Sequence, residues 1–150
     1  MIVKKFRIFI AIDRQTKFLF LEAFILLGWA RILKSIRFSK IADSLGEQMM
    51  ETSFDTNESN KKIIRHISDS INIMSRHTIW ESMCLVKAIA AMKMLERRKI
   101  ESTLYLGTAK DESGKMIAHA WLRTGPYYIT GFEVMERFTV VKKFAKKISK

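Results

Sequence analysis

A helix drawn through Lys17 to Ser35 carries apolar residues on nearly every side. Such a helix has to be covered, by the rest of its own domain or by another protein. RFSKIADSLG, Arg37 to Gly46, reads as a short helix stopped by Gly46, which tolerates the left-handed backbone of a helix end. ETSFDTNESNKK, Glu51 to Lys62, is polar and acidic and predicts a mobile loop. In the next segment, Ile63 to His77, the residues Ile63, Ile67, Ile71 and Met74 share one helical face. From Cys84 to Lys99 the residues Leu85, Ala88, Ile89, Met92 and Leu95 recur at three- and four-residue spacing. Arg97, Arg98 and Lys99 follow where positive charge suits a helix C-terminus. After Lys99 the period shortens. TLYLG (Thr103 to Gly107), MIAHAWLR (Met116 to Arg123), YYITG (Tyr127 to Gly131) and RFTVV (Arg137 to Val141) read as strands, with turns at KDESGK and TGP. Helices first and an antiparallel meander second predict an α+β fold.

Composition narrows the picture. A chain of 150 residues fits one domain, 1–150, and 48% hydrophobic content with 11% aromatics excludes general disorder. The net charge of +12 is unevenly spread: residues 1–40 hold nine Lys or Arg against Asp13 and Glu22, and the last fourteen residues hold six bases and no acid. Residues 41–75 reverse the sign, with six acids and three bases. Basic ends of this kind suit an acidic peptide, an acidic protein, nucleic acid or anionic lipid, or serve only to keep the surface soluble. The opening MIVKKFRIFIAIDRQ ends its apolar run at Asp13 with no small-residue cleavage site, so no export signal is expected. Phe18 to Leu33 is 16 residues long and contains Glu22 and Arg31. As a helix it spans roughly 24 Å against roughly 30 Å of hydrocarbon. A buried or docking helix is expected there, with peripheral membrane contact left open. A single cysteine cannot form an internal disulfide, which points to a reducing cytoplasm. Nothing resembles a metal site, a Gly-rich phosphate loop or a nucleic-acid module, so neither metal, cofactor nor nucleic acid is expected.

The candidate chemistry lies in WESMCLVKAI. A thiol at a helix start meets the positive end of the macrodipole and the free amides of the first turn, which favour a thiolate and can hold an oxyanion. Ser82 as N-cap puts Cys84 in the first turn; Thr78 with Glu81 makes a capping box and moves it to the second. The sequence leaves both open. A thiolate nucleophile needs a base, and among three histidines His119 is the candidate, sharing one strand face with Ile117 and Trp121. His66 and His77 stand in polar helical surroundings. The bland reading makes Cys84 and His119 ordinary core residues.

Taken together, CLVKAIAAMKMLERRKIESTLYLG and AHAWLRTGPYYITG resemble the lasso-peptide maturation protease, a transglutaminase-like cysteine peptidase. The shared pattern is Cys-Leu at a helix start, a basic helix end, a strand ending in Gly, then Ala-His-Ala-Trp. LFLEAFILLGWARIL and RFSKIADSLG resemble that family's helical lead-in. The resemblance implies a helical lead-in over about 1–76 and a transglutaminase-like, papain-like core over about 77–150, with a catalytic helix packed on an antiparallel sheet. It implies that Cys84 is the nucleophile and His119 the general base and later acid. The reaction implied is leader removal from a ribosomally made precursor, by cleavage at the leader-core junction. A small leader-recognition protein and an ATP-dependent lasso cyclase are the implied partners, and no cofactor is.

The family's third residue is an Asp roughly a dozen positions after the His, where it orients the imidazole. Here a hairpin centred on Gly125 sets Gly131 opposite His119, and one centred between Thr124 and Gly125 sets Thr130 there. Neither is a carboxylate. Glu133 is the nearest substitute, with a surface Glu as the plain reading, and a backbone carbonyl or water as other holders of the ring. Trp80 and Trp121 are candidate walls of a substrate groove or else core aromatics. Arg97, Arg98 and Lys99 either grip an acidic leader or form a solvated helix end. Two rivals stand beside the peptidase: an acyltransferase working through the same thioester, and a basic binding module with an inert thiol.

Overall fold

The computed structural model describes residues 2–78 and 83–149. Asp13 divides two helices, α1 (Ile2–Ala11) and α2 (Arg14–Lys34). Its backbone is extended, and its carboxylate accepts the Thr16 N–H at 3.2 Å and the Thr16 hydroxyl at 2.6 Å, a side-chain cap on the free amides of α2. The helix therefore begins before Lys17. The basic-apolar opening, read as a run that stops at Asp13, is a helix of its own with no buried residue. One face of α2 buries Leu19, Ala23, Leu26, Leu27 and Ala30, while Phe18, Leu21, Ile25 and Ile32 remain exposed. After α3 (Phe38–Ile41) and a 3-10 turn over Ala42–Leu45, Gly46 takes a φ of 128° that only glycine adopts easily, and β1 (Glu47–Gln48) follows.

Two further helices complete the α layer. α4 (Lys61–Met74) buries Ile64, Ile67 and Ile71 at helical spacing. α5 (Cys84–Arg97) is the axis of the molecule: Val86, Ala88, Ile89, Ala90, Ala91, Met92, Met94 and Leu95 are all buried, because α2, α4 and the sheet enclose it. Its alanines permit that close approach, and Leu95→Ala would remove about 2–5 kcal/mol of packing. At its C-terminal end Arg98 makes a bidentate pair with Glu22 of α2, at 3.0 and 2.6 Å, and Arg97 reaches the same carboxylate at 3.2 Å. Both arginines are paired within the chain, yet Arg97 and Lys99 remain exposed, so the end of α5 is a solvated one with a built-in ion pair.

The sheet consists of β1, β2 (Ser102–Lys110), β3 (Met116–Thr124), β4 (Tyr127–Thr130) and β5 (Thr139–Lys146) in the order β1-β5-β2-β3-β4, every pair antiparallel. A meander holds for β2, β3 and β4. The last strand departs from it, crossing back to the far side of β2 and starting after a 3-10 segment, Phe132–Arg137. It also runs further than RFTVV, taking in much of the basic tail. Leu104, Ala120, Leu122 and Phe144 join the α5 residues in one core cluster. By strand alternation Thr103, Tyr105, Trp121 and Arg123 fall on the opposite face.

The segment after β1 covers part of that opposite face. Arg123 is 1% exposed, and its guanidinium donates to the carbonyls of Thr52 at 3.0 Å, Ser53 at 3.1 Å and Gly125 at 2.7 Å and to the Tyr105 hydroxyl at 2.9 Å. The Phe54 ring stacks 3.7 Å from the guanidinium carbon. The mobile loop expected over Glu51–Lys62 is therefore anchored at its start around a buried cation, and ends in a 3-10 turn, Glu58–Asn60, that leads into α4.

Candidate active site

Cys84 is the first residue of α5, and Met83 is its N-cap, with extended backbone and no side-chain cap hydrogen bond. Of the two placements the sequence left open, the thiol takes the first turn, although the capping residue is not Ser82. Ser82, Glu81 and Trp80 lie outside the described residues, so no groove wall can be assigned to Trp80. The thiol is half-buried. A first-turn position sets it among the amides that have no partner inside the helix and at the positive end of the macrodipole.

His119 stands on β3, paired in register with Gly107 of β2. Its Nε2 lies 2.6 Å from the carbonyl oxygen of Gly131, twelve residues on. A carbonyl can only accept, so Nε2 carries the proton in this bond and the lone pair of the neutral ring is on Nδ1. The ring is further confined by Phe138, with centroids 5.0 Å apart, and by Trp121 at 5.9 Å. Trp121 itself is buried, stacked on Tyr105 at 5.6 Å and 13°. It is a backing platform beside the histidine and does not line the groove, which is how the structure answers its candidacy as a substrate contact.

Glu133 does not hold the ring. It is exposed in the 3-10 segment after β4, where the chain has already left the sheet. Neither expected hairpin register is realised either: Thr124 pairs with Tyr127 around Gly125 and Pro126, and a shift between Leu122 and Arg123 brings Leu122 opposite Thr130. Beyond that pair Gly131 turns with φ 71° and ψ 11°, a left-handed conformation, which aims its carbonyl at the imidazole. A Cβ built there would meet the Ala120 carbonyl oxygen and sit 3.1 Å from His119 Nε2. The sequence offered Gly131 as one register's partner and a backbone carbonyl as one holder of the ring, without joining the two.

Cys84 and His119 line one groove of about 440 Å³, together with Leu106, Val141, Lys34 and Lys142. Its walls are mainly apolar and come from α2, α3, α5, β2, β3 and β5. Lys34 and Lys142, which sequence reasoning did not single out, add positive charge. Lys34 Nζ rests 3.1 Å from Met83 Sδ, and Lys142 Nζ lies 5.5 Å from the Phe38 ring centroid. Neither has a carboxylate partner among the described residues. No group of three or more His, Cys, Asp or Glu among the described residues is arranged to hold a metal ion. Both residues border the groove, but the His119 ring stacks on Trp121, on the face of the sheet turned away from α5 and Cys84; acyl chemistry requires the imidazole within hydrogen-bond reach of the thiol.

A family model described as the transglutaminase-like superfamily matches residues 23–143, from α2 into β5 and through both Cys84 and His119. No curated protein and no solved structure matches the chain.

Proposed function

We propose, because this chain belongs to the transglutaminase-like superfamily, in which cysteine proteases and transglutaminases are typical, that it is a cysteine peptidase. Its substrate in this reading is a lasso-peptide precursor, cut at the leader-core junction. The observation that carries the chemistry is the shared groove of Cys84 and His119, with the imidazole proton engaged by Gly131. With the His119 ring turned from its stack on Trp121 to within reach of the thiol, Nδ1 takes the thiol proton as Sγ attacks the scissile carbonyl, and first-turn amides of α5 receive the developing oxyanion. Collapse breaks the C–N bond. The imidazolium returns its proton to the leaving amine, which frees the core peptide, and the leader remains as a thioester on Cys84. His119 then deprotonates a water, the thioester is hydrolysed, and the thiol is regenerated. No cofactor enters, and the thiol calls for a reducing compartment such as the cytoplasm. A leader-binding partner protein delivers the precursor, and an ATP-dependent cyclase consumes the freed amine.

The same thioester serves an acyltransferase. Lys34 and Lys142 argue for water as acceptor, since a protonated amine entering this groove meets two positive charges at short range while water meets no such barrier. The same charges suit a peptide bearing a carboxylate near apolar side chains. The test is incubation of the protein with precursor and leader-binding partner, with products read by mass spectrometry. Two shorter peptides summing to precursor plus water are expected, with Cys84→Ala at least a thousandfold slower, on the order of the loss seen when a catalytic nucleophile is removed. Full activity in that variant refutes the nucleophile, and an amide adduct in place of a free carboxylate refutes the peptidase.

A further inference from the structure

Among the described α-helices, α1 alone buries no residue. Phe6 is 63% and Phe9 48% exposed. At about 100° per residue, Ile2, Val3, Phe6, Phe9 and Ile10 fall within a sector of about 120°, with Lys4, Lys5 and Arg7, and the exposed Ile8 among them, outside it. The helix contains no acid, and none of its three cations has an ion-pair partner among the described residues. Lys17 of α2 ties its end down, donating to the Ile10 carbonyl at 3.1 Å with Nζ 5.6 Å from the Phe9 ring centroid. The next helix continues the character, with Phe18, Leu21, Ile25 and Ile32 exposed.

We infer that α1, with the cationic start of α2, is an interfacial anchor for an anionic lipid bilayer. Charge selects lipid: it is of one sign and complements an anionic headgroup layer, while the apolar sector supplies a face on which the helix can lie flat at the headgroup boundary with its phenylalanines immersed. A second copy of the chain is disfavoured because it would set like charges against each other. No described helix is long and apolar enough to cross a membrane, so the attachment is peripheral.

The test is co-sedimentation of the full chain with phosphatidylcholine vesicles made with and without phosphatidylglycerol. Binding is expected only to the anionic vesicles and should fall steeply with added salt. Lys4→Gln with Lys5→Gln and Arg7→Gln should weaken it on the order of a hundredfold. Phe6→Ser with Phe9→Ser should weaken it on the order of tenfold or more. All five side chains are exposed, and an unchanged thermal midpoint verifies that the fold survives. Failure to bind anionic vesicles, equal binding to neutral ones, or binding untouched by both variants overturns the proposal. So does lipid-free self-association that the phenylalanine variant abolishes, which would make this surface a dimer contact.

Discussion

A backbone carbonyl cannot be removed by substitution, so the hold of Gly131 on His119 is best tested through the space around it. Gly131→Ala forces a Cβ against the Ala120 carbonyl and to 3.1 Å from Nε2, in a left-handed backbone that costs a non-glycine residue about 1–2 kcal/mol. The ring must shift. Displacement of a catalytic group by about 1 Å lowers turnover on the order of a hundredfold. Steady-state cleavage should therefore fall by that factor, with only a modest drop in thermal midpoint; undiminished turnover would show that the carbonyl is not needed. The histidine was legible because AHAWLR alternates on a strand. Its partner was legible only in pieces, Gly131 as one register's opposite residue and a backbone carbonyl as one possible holder of the ring, while the search for a carboxylate led to Glu133. Trp121 was legible only as one of two alternatives, because alternation gives a face and not what lies beyond it.

At the scale of elements, α5 and β2 to β4 could be read directly: three-four spacing gives way to alternation near Lys99, and each pattern follows from the faces those elements bury. Segments whose partners are distant in sequence could not. The acidic stretch after β1 has the composition of a mobile loop, yet Thr52, Ser53 and Phe54 gather around Arg123, a contact across some seventy residues. Tyr105 belongs to the same cluster. It donates to Glu51, which Lys143 also pairs at 3.3 Å, and burial above all pushes the Tyr105 hydroxyl up to about 12. The folded state thus binds this proton more tightly than the unfolded chain does. The associated stability is complete below pH 10, the ordinary tyrosine value, and is lost as pH rises toward about 12. Thermal midpoints measured across that range should decline more steeply for the native chain than for Tyr105→Phe. Parallel curves would contradict this account. Glu51 is shifted the other way, chiefly by the Tyr105 hydrogen bond, so its share of stability is lost on acidification.

For the whole molecule, charge asymmetry was visible from the outset, but its meaning depended on which cations the fold leaves free. Arg97 and Arg98 are spoken for by Glu22, while Lys4, Lys5 and Arg7 are not. Chain order likewise predicted the layers without predicting where the last strand would go. β5 lies between β1 and β2 and contributes Val141 and Lys142 to the groove. During synthesis, at about 5–20 residues per second, Cys84 and His119 leave the ribosome well before that strand does. Until it arrives, β2 presents an open edge and the groove lacks a wall. Completion of the groove around the thiol therefore waits on that strand. A variant ending at Phe138 should retain both reacting side chains, aggregate through the β2 edge in light-scattering assays, and show no cleavage of precursor.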